Sequence, residues 1–256
     1  MDANGSVVSV VPTRVLDAHQ ATKHAIHATY WKMCSKSFPF FLFAFCKTKD
    51  EHDPKVVAKP YPLKIYIAIV AIFLQSTRRL AIPKSRQLMM SWTVAAFVLW
   101  VALFRDNSLN FLQSKKETDA NALLERVFDI YIRLPNWMQK ANPVNPSKNG
   151  ERIENHMRFP WTMDAIKRIT PDGEEPDLGL LLTLRAHIWA IPQGQDVLRQ
   201  YTATFIFSDE DAFQEQAALA YQASAPILAD DSWFIKVSTA NPGHFESVVK
   251  DKALEV

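Results

Sequence analysis

The stretch that decides the fold runs from Leu80 to Trp92 and reads LAIPKSRQLMMSW. It begins with a short apolar run, passes through a polar segment, and reaches a hydroxyl residue, Ser91, where a strongly apolar helix pattern starts. A strand, a loop and a helix in this order bring backbone N–H groups and the positive end of a helix dipole to one point, where phosphate can bind. The standard phosphate loop, G-x-x-x-x-G-K-[ST], is matched only at its last position, because Lys84, Met89 and Met90 occupy the other three.

This sequence meets the physical requirements of a phosphate loop better than it matches the consensus pattern. Such a loop needs backbone N–H donors, one mobile cation and a hydroxyl group for Mg²⁺. Lys84 or Arg86 can supply the cation from the start of the loop, and Ser91 can supply the hydroxyl group. Met89 is the serious departure, because a side chain disfavours the positive φ that glycine permits. The alternative is an ordinary strand-to-helix turn whose Lys and Arg side chains are merely solvated.

An apolar run that ends in acids is the second signal, at Thr202–Phe213, TATFIFSDEDAF. An acid at the end of such a strand can hold Mg²⁺, and the next acid can polarise an attacking water molecule. We therefore assign Asp209 to the metal and Glu210 to the role of general base. Two alternatives stay open. The frame could be shifted by one, with Glu210 and Asp211 as the pair, or the acids could be solvated at a helix N-terminus.

A third apolar run, Trp233–Pro242, WFIKVSTANP, ends in small polar residues that include Ser238, Thr239 and Asn241. Strand and helix patterns alternate along the chain, which indicates an α/β fold with a mostly parallel central sheet. In such sheets ligands bind outside the carboxyl ends of the strands. We therefore expect the loop, the acids and these polar residues to meet at one edge.

The remaining patterns predict the elements around these three runs. We expect helices at His19–Phe45, Leu63–Leu74 (a buried helix), Ser91–Phe104 and Glu117–Arg133, strands at Arg79–Pro83, Ser108–Gln113, Leu180–Ile191, Thr202–Phe207 and Phe234–Thr239, and loops and hairpins from Pro135 to Pro176.

Composition fits an ordinary globular domain. The chain has 256 residues, of which 48% are hydrophobic and 22% charged, and its formal net charge is +2. Its longest apolar runs, Ile65–Leu74 and Trp92–Phe104, fall short of the ~20 residues that span a bilayer. Two cysteines, Cys34 and Cys46, cannot form a metal site alone, and the N-terminus lacks a signal-peptide pattern. We therefore expect a chain that is neither secreted nor inserted in a membrane.

The loop sequence KSRQLMMS resembles the deviant phosphate loop of tailed-phage terminase large subunits, with Lys84, Ser85, Arg86, Gln87 and Ser91 at matching positions. TATFIFSDEDAF resembles the Walker B segment of that family, and the STAN run resembles its coupling motif. The resemblance covers roughly residues 60–245. It implies a phosphate-loop NTPase of the additional-strand class, with an N-terminal helical extension at 1–58 and an ATPase core at 59–256. The nuclease domain of the family is expected to be absent from this chain.

The resemblance also implies a set of site residues, with ATP and Mg²⁺ as cofactors. Their expected roles are catalysis by Lys84, Arg86 and Glu210, nucleotide binding by Ser85, Gln87, Leu88, Met89, Met90, Ser91, Trp92 and Thr239, and metal binding by Ser91 and Asp209.

The implied function is ATP-driven translocation of double-stranded DNA into a procapsid, in the cytoplasm of an infected host cell. Implied partners are the DNA, a portal protein, a terminase small subunit and further copies of the chain in a ring. Two alternatives remain. One is a catalytically weak or dead ATPase fold that binds DNA or portal, motivated by Met89 and Met90, and the other is a helicase-like ATPase.

Overall fold

The computed structural model describes residues 13–48, 59–85, 88–144, 155–192, 201–215, 228–239, 241 and 244–250. The helices are α1 (Thr13–Lys36), α2 (Phe38–Phe45), α3 (Ile65–Ser76), α4 (Met90–Phe104), α5 (Glu117–Tyr131), α6 (Asn136–Ala141), α7 (Met163–Ile169) and α8 (His244–Lys250). The strands are β1 (Lys47–Thr48), β2 (Lys59–Pro60), β3 (Arg79–Pro83), β4 (Ser108–Ser114), β5 (His156–Pro160), β6 (Leu184–Pro192), β7 (Ala203–Asp209) and β8 (Leu228–Ser238).

A six-stranded sheet with the order β3-β8-β7-β4-β6-β5 forms the centre of the molecule. The pairs β3–β8, β8–β7, β7–β4 and β4–β6 are parallel, and only β5 pairs antiparallel, with β6. Strand β8 therefore lies between the strand that precedes the loop and the strand that carries the acids. This inserted strand is the feature that defines the additional-strand class, so the predicted fold class is confirmed.

Helix α4 forms the centre of the hydrophobic core. It is apolar on every side, and such a helix is stable only when it is buried on every side. Its side chains from Trp92 to Leu103 are buried between the sheet and the N-terminal helices. Phe97 alone makes ring contacts with Phe38, Trp100, Phe205 and Trp233. The loop that precedes α4 is therefore attached to a helix that is buried along its length.

The predicted single helix from His19 to Phe45 is two helices, because Ser37 ends α1 and caps α2. The Ser37 hydroxyl accepts a hydrogen bond from the Phe40 backbone N–H at 3.2 Å. Gln75 of α3 holds the break from the other side, donating to the Lys36 carbonyl at 2.8 Å and accepting from the Phe38 N–H at 2.9 Å. These three polar contacts satisfy backbone groups that a continuous helix would have paired internally.

Three further predictions about elements are wrong. Helix α3 is only partly buried, with Ile65, Ile69, Ile72 and Phe73 about half or more exposed. The segment 135–176 contains α6, β5 and α7 rather than only loops and hairpins. The strand predicted from Leu180 begins at Leu184, after a 3₁₀ turn.

No helix among the described residues is both long and apolar enough to span a membrane.

Two histidines face each other across β5 and β6. Nε2 of His156 lies 3.0 Å from Nδ1 of His187, and the His156 ring stacks on Trp189 with an interplanar angle of 6°. Burial, then the neighbouring His187 and Arg158, lower the pKa of His156 to about 4. Burial and Arg158 also lower the pKa of His187. The contact therefore holds two neutral rings that share one hydrogen.

This histidine pair predicts acid sensitivity of the fold. Between about pH 6.5 and about pH 4 an unfolded histidine is protonated while folded His156 is not, so the unfolded state binds more protons. The free energy of unfolding should therefore fall as the pH is lowered through that window. Urea denaturation at a series of pH values measures the slope, which His156→Gln should flatten. The same substitution at the exposed His24 should leave it unchanged, and an equal effect of both variants would contradict the assignment.

Candidate functional site

The segment between β3 and α4 begins where the sheet pairing ends. The Lys84 backbone N–H donates to the carbonyl of Ser238 at 2.9 Å, which continues the β3–β8 pairing by one residue. Ser85 is exposed, whereas Leu88 and Met89 pack partly against the core. Arg86 and Gln87 lie outside the described residues. The loop is therefore hydrogen-bonded to β8 at its first residue and continues directly into α4 at its end.

Met89 adopts the left-handed conformation, with φ 57° and ψ 20°, immediately before α4. A non-glycine residue there costs roughly 1–2 kcal/mol. The Met89 carbonyl accepts hydrogen bonds from both the N–H and the hydroxyl group of Thr93, at 2.9 and 3.0 Å. These bonds and the packing of its side chain offset the strain. The conformation that a glycine would supply is thus present without one.

Ser91 and Asp209 join the helix start to the end of β7. The Ser91 hydroxyl donates to Oδ2 of Asp209 at 3.0 Å. Oδ1 of Asp209 is buried and has no hydrogen-bond partner among the described residues. Burial raises the pKa of Asp209, and the hydrogen bond from Ser91 and the charge of Lys84 oppose that rise. A buried carboxylate oxygen without a partner is costly unless a cation or a water molecule completes it.

Glu210 directly follows Asp209 and contacts the start of the loop. Its carboxylate forms an ion pair with the Lys84 ammonium group, with 3.1 Å between Oε1 and Nζ. The hydroxyl groups of Ser238 and Thr239 both lie 3.5 Å from Oε2, at the outer limit of a hydrogen bond. Glu210 also has a left-handed backbone, with φ 49°. The predicted cation, the predicted base and two of the polar residues at the end of β8 therefore meet at one edge of the sheet.

Asp211 points away from this edge. Its carboxylate is 2% exposed, pairs with the ammonium group of Lys236 at 3.1 Å, and accepts a bond from the Ser208 hydroxyl at 2.6 Å. The shifted frame required Asp211 to reach a water molecule beside the loop, and a buried ion pair opposes that role. Lys236 was missed in the sequence, although a lysine inside the apolar run WFIKVS was a usable signal.

Two of the residues expected to bind nucleotide have their side chains in the core. Met90 is 3% exposed and Trp92 5% exposed. Because α4 begins at Met90, these residues can offer a ligand only backbone groups. Next to the acids, a cavity of about 460 Å³ opens between the ends of β4, β7 and β8 and the start of α5. Its lining includes Lys115 and two charged residues that the sequence did not single out, Asp119 and Arg126.

Neither a protein-family model nor a curated protein sequence matches this chain. Solved structures do match. The bacteriophage HK97 large terminase is similar with a TM-score of 0.56 and 12% identity, over 86% of this chain and 41% of that one. The large terminase ATPase domain of Thermus phage P74-26 is similar with a TM-score of 0.52 and 19% identity, over 73% of this chain and 67% of that one. The chain thus spans less than half of the HK97 protein.

The strand order and the loop at the sheet edge define the class of the protein, which is an α/β phosphate-loop fold with the additional strand. Within that class, the fold is similar to that of the ATPase domains of phage large terminases. The resemblance drawn from the loop sequence is thereby confirmed at the level of the fold.

The left-handed Met89 yields a prediction about stability. Glycine adopts this conformation freely, so Met89→Gly should change the free energy of unfolding by no more than about 1 kcal/mol, since relief of strain offsets lost packing. Met89→Val places a β-branched side chain in the same conformation and should destabilise the protein by ~1–3 kcal/mol. Urea denaturation of both variants measures the difference. Equal destabilisation by the two would contradict a left-handed conformation at this position.

Proposed function

We propose that this chain is the ATPase motor domain of a viral terminase large subunit. One observation carries the proposal: the segment from Lys84 to the first turn of α4 contacts the acids at the end of β7 twice, through Lys84–Glu210 at 3.1 Å and Ser91–Asp209 at 3.0 Å. A cation, a hydroxyl group and two carboxylates at a helix start are the groups that in-line attack on a phosphate requires. The similarity of the fold to terminase ATPase domains supports the same conclusion.

Lys84 is the cation that would neutralise phosphate charge, together with Arg86. The charge of the Lys84 ammonium group is balanced by the carboxylate of Glu210. The phosphates of ATP carry more negative charge than one carboxylate, so they would compete for Lys84 and free Glu210. Nucleotide binding would in this way convert Glu210 from a structural ion-pair partner into a base that faces water. The backbone N–H groups from Leu88 to Trp92 would bind the phosphates from the helix end.

The residues at the end of β7 suit Mg²⁺. This ion prefers oxygen ligands and keeps several of its water molecules. The Ser91 hydroxyl and the unpartnered Oδ1 of Asp209 are such oxygens, the second of them acting through water, and the buried carboxylate gains a partner when a cation arrives. The ion would supply neutralisation of the charge that develops on the phosphate oxygens.

Glu210 would orient the water molecule that attacks the γ-phosphate. It is more exposed than Asp209, with 39% of its side chain accessible, and it borders the 460 Å³ cavity. A water molecule in that cavity can therefore reach the carboxylate. The hydroxyl groups of Ser238 and Thr239 contact the same carboxylate from β8, where they would respond to the loss of the γ-phosphate.

The work that hydrolysis would drive is translocation of double-stranded DNA into a procapsid in the host cytoplasm. The partners would be a portal protein, a terminase small subunit and further copies of this chain in a ring. A second candidate function is a catalytically dead module of the same fold that binds DNA or portal. It is favoured by Met90, which is buried and uncharged where the standard loop has its lysine. Phosphate release by the purified protein, with and without DNA, separates the two.

The position of the cation gives the first test of this mechanism. Lys84→Ala should lower ATP turnover at least ~10²-fold, because it removes the charge that offsets the phosphates. Met90→Leu conserves volume in the core and should leave turnover within a few-fold. Steady-state phosphate release measures both variants. Loss of activity in the Met90 variant alone would show that the assignment of Lys84 as the cation of the loop is wrong.

The acids give the second test, which separates binding from chemistry. Asp209→Asn should weaken affinity for Mg²⁺-ATP as well as turnover, because Asp209 would hold the ion in the ground state. Glu210→Gln should keep ATP affinity within a few-fold and lower the rate by ~10²-fold or more, since a base acts in the transition state. Binding of labelled ATP beside steady-state hydrolysis measures the split. Normal hydrolysis by Glu210→Gln would show that another group orients the water.

A further inference from the structure

A lysine lies buried near the carboxyl end of the inserted strand. Lys236 of β8 is 0% exposed, and its ammonium group lies 3.1 Å from Oδ2 of Asp211, which is 2% exposed. Burial lowers the pKa of Lys236, and the charge of Asp211 opposes that shift. Among the ion pairs of the described residues, this is the pair with both side chains almost fully buried.

Net stability is a poor explanation for such a pair. Two charges removed from water lose hydration that their mutual attraction barely repays, and apolar residues of similar volume often serve the fold as well or better. What a buried pair does provide is a fixed geometry, because removing either partner leaves an unpaired charge. The reason for Lys236 is therefore to be sought in what Asp211 holds in place.

Asp211 directly follows Glu210, whose left-handed φ of 49° is unfavourable for a residue with a side chain. Other contacts also hold the turn. Ser208 donates to Oδ1 of Asp211 at 2.6 Å, and Gln214 donates to the Asp209 carbonyl at 2.9 Å. From β8, the Ser238 hydroxyl accepts a hydrogen bond from the Ala212 N–H at 3.1 Å. The ion pair is the charged member of this set, and it joins the turn to β8.

The same ammonium group also contacts the last described helix. Nζ of Lys236 lies 3.3 Å from Nε2 of His244, the first residue of α8. An ammonium group can only donate, so Nε2 of His244 accepts and the ring carries its hydrogen on Nδ1. Phe245 and Val248 bury the apolar side of α8. One side chain therefore contacts both the acidic turn and α8.

We propose that Lys236 is a positioning residue: its buried ion pair with Asp211 fixes the left-handed turn that directs Glu210 toward Lys84, and its contact with His244 ties that turn to α8. The inference rests on the proposed function for the role of Glu210, but the fixing of the turn is a property of the unliganded protein. Displacement of a base by about 1 Å is enough to lower a rate by ~10²-fold.

The test neutralises both partners together, so that no unpaired charge is left buried. The double variant Lys236→Met, Asp211→Asn should lower kcat by ~10- to 100-fold and leave the dissociation constant for ATP within about threefold. The matched control is Arg185→Met, Asp106→Asn, which removes another ion pair with a buried cation. This pair lies at the amino end of β6, away from the acids at the carboxyl ends of the strands. The control should leave kcat within about twofold. An equal loss of kcat in both variants, or a parallel loss of ATP affinity, would overturn the proposal.

Hydrogen exchange of the unliganded proteins gives a readout that needs no ATPase activity. Amides of residues 207–214 and of α8 should exchange at least about tenfold faster in the Lys236 double variant and unchanged in the control. Unchanged exchange at 207–214 would refute the positioning role, whatever the activity. If the wild-type protein does not hydrolyse ATP, the proposed function fails. The difference in hydrogen exchange between the wild type and the Lys236 double variant then decides this inference alone. Should the Met variant not fold, Lys236→Gln with Asp211→Asn keeps a neutral hydrogen bond, and the same outcomes apply.

Discussion

The hydrogen bonding of β8 between β3 and β7 is the constraint on which the candidate site depends. Both pairings are parallel, so the three strands end at the same edge, with Pro83 opposite Ser238 and Asp209 opposite Val237. The loop after β3 and the acids after β7 are therefore held one strand apart, a distance that the side chains of Lys84 and Glu210 can bridge. Without the inserted strand these groups would belong to adjacent strands, and the hydroxyl groups of β8 would have no place beside the carboxylate.

Backbone strain marks the two points where this edge meets its loops. Met89 and Glu210 are both left-handed. Met89 lies two positions before Ser91, and Glu210 directly follows Asp209, and these are the two side chains proposed to hold Mg²⁺. Each is fixed by neighbours whose own positions are fixed, Met89 by Thr93 of the buried α4 and Glu210 by the turn that Lys236 anchors. Strained residues persist only where the surroundings determine them, and they concentrate at functional sites. The rigid core is thus what allows an unusual loop sequence to keep its geometry.

Sequence reasoning succeeded where the pattern was local. The bounds of β3 were read correctly from Arg79–Pro83, and α4 was placed within one residue of its start because its apolar run is long and uninterrupted. It failed where long-range contacts decide. Ser37 breaks the predicted N-terminal helix with the help of Gln75, which accepts a hydrogen bond from the Phe38 N–H across 37 positions of the chain. The predicted burial of α3 failed because an apolar composition does not say which of its faces finds a neighbour.

The amino-acid sequence by itself determined the class of fold and the chemical groups available at the sheet edge, because periodicity and strand-end acids are properties of consecutive residues. The tertiary structure decided which partner each of those groups contacts. Asp209, Glu210 and Asp211 are consecutive and chemically alike, yet one contacts Ser91, one contacts Lys84, and one is buried against Lys236. The left-handed turn at Glu210 and the neighbouring strand β8 separate them. A turn that depends on a partner 25 residues away along the chain cannot be predicted from the local order of the acids.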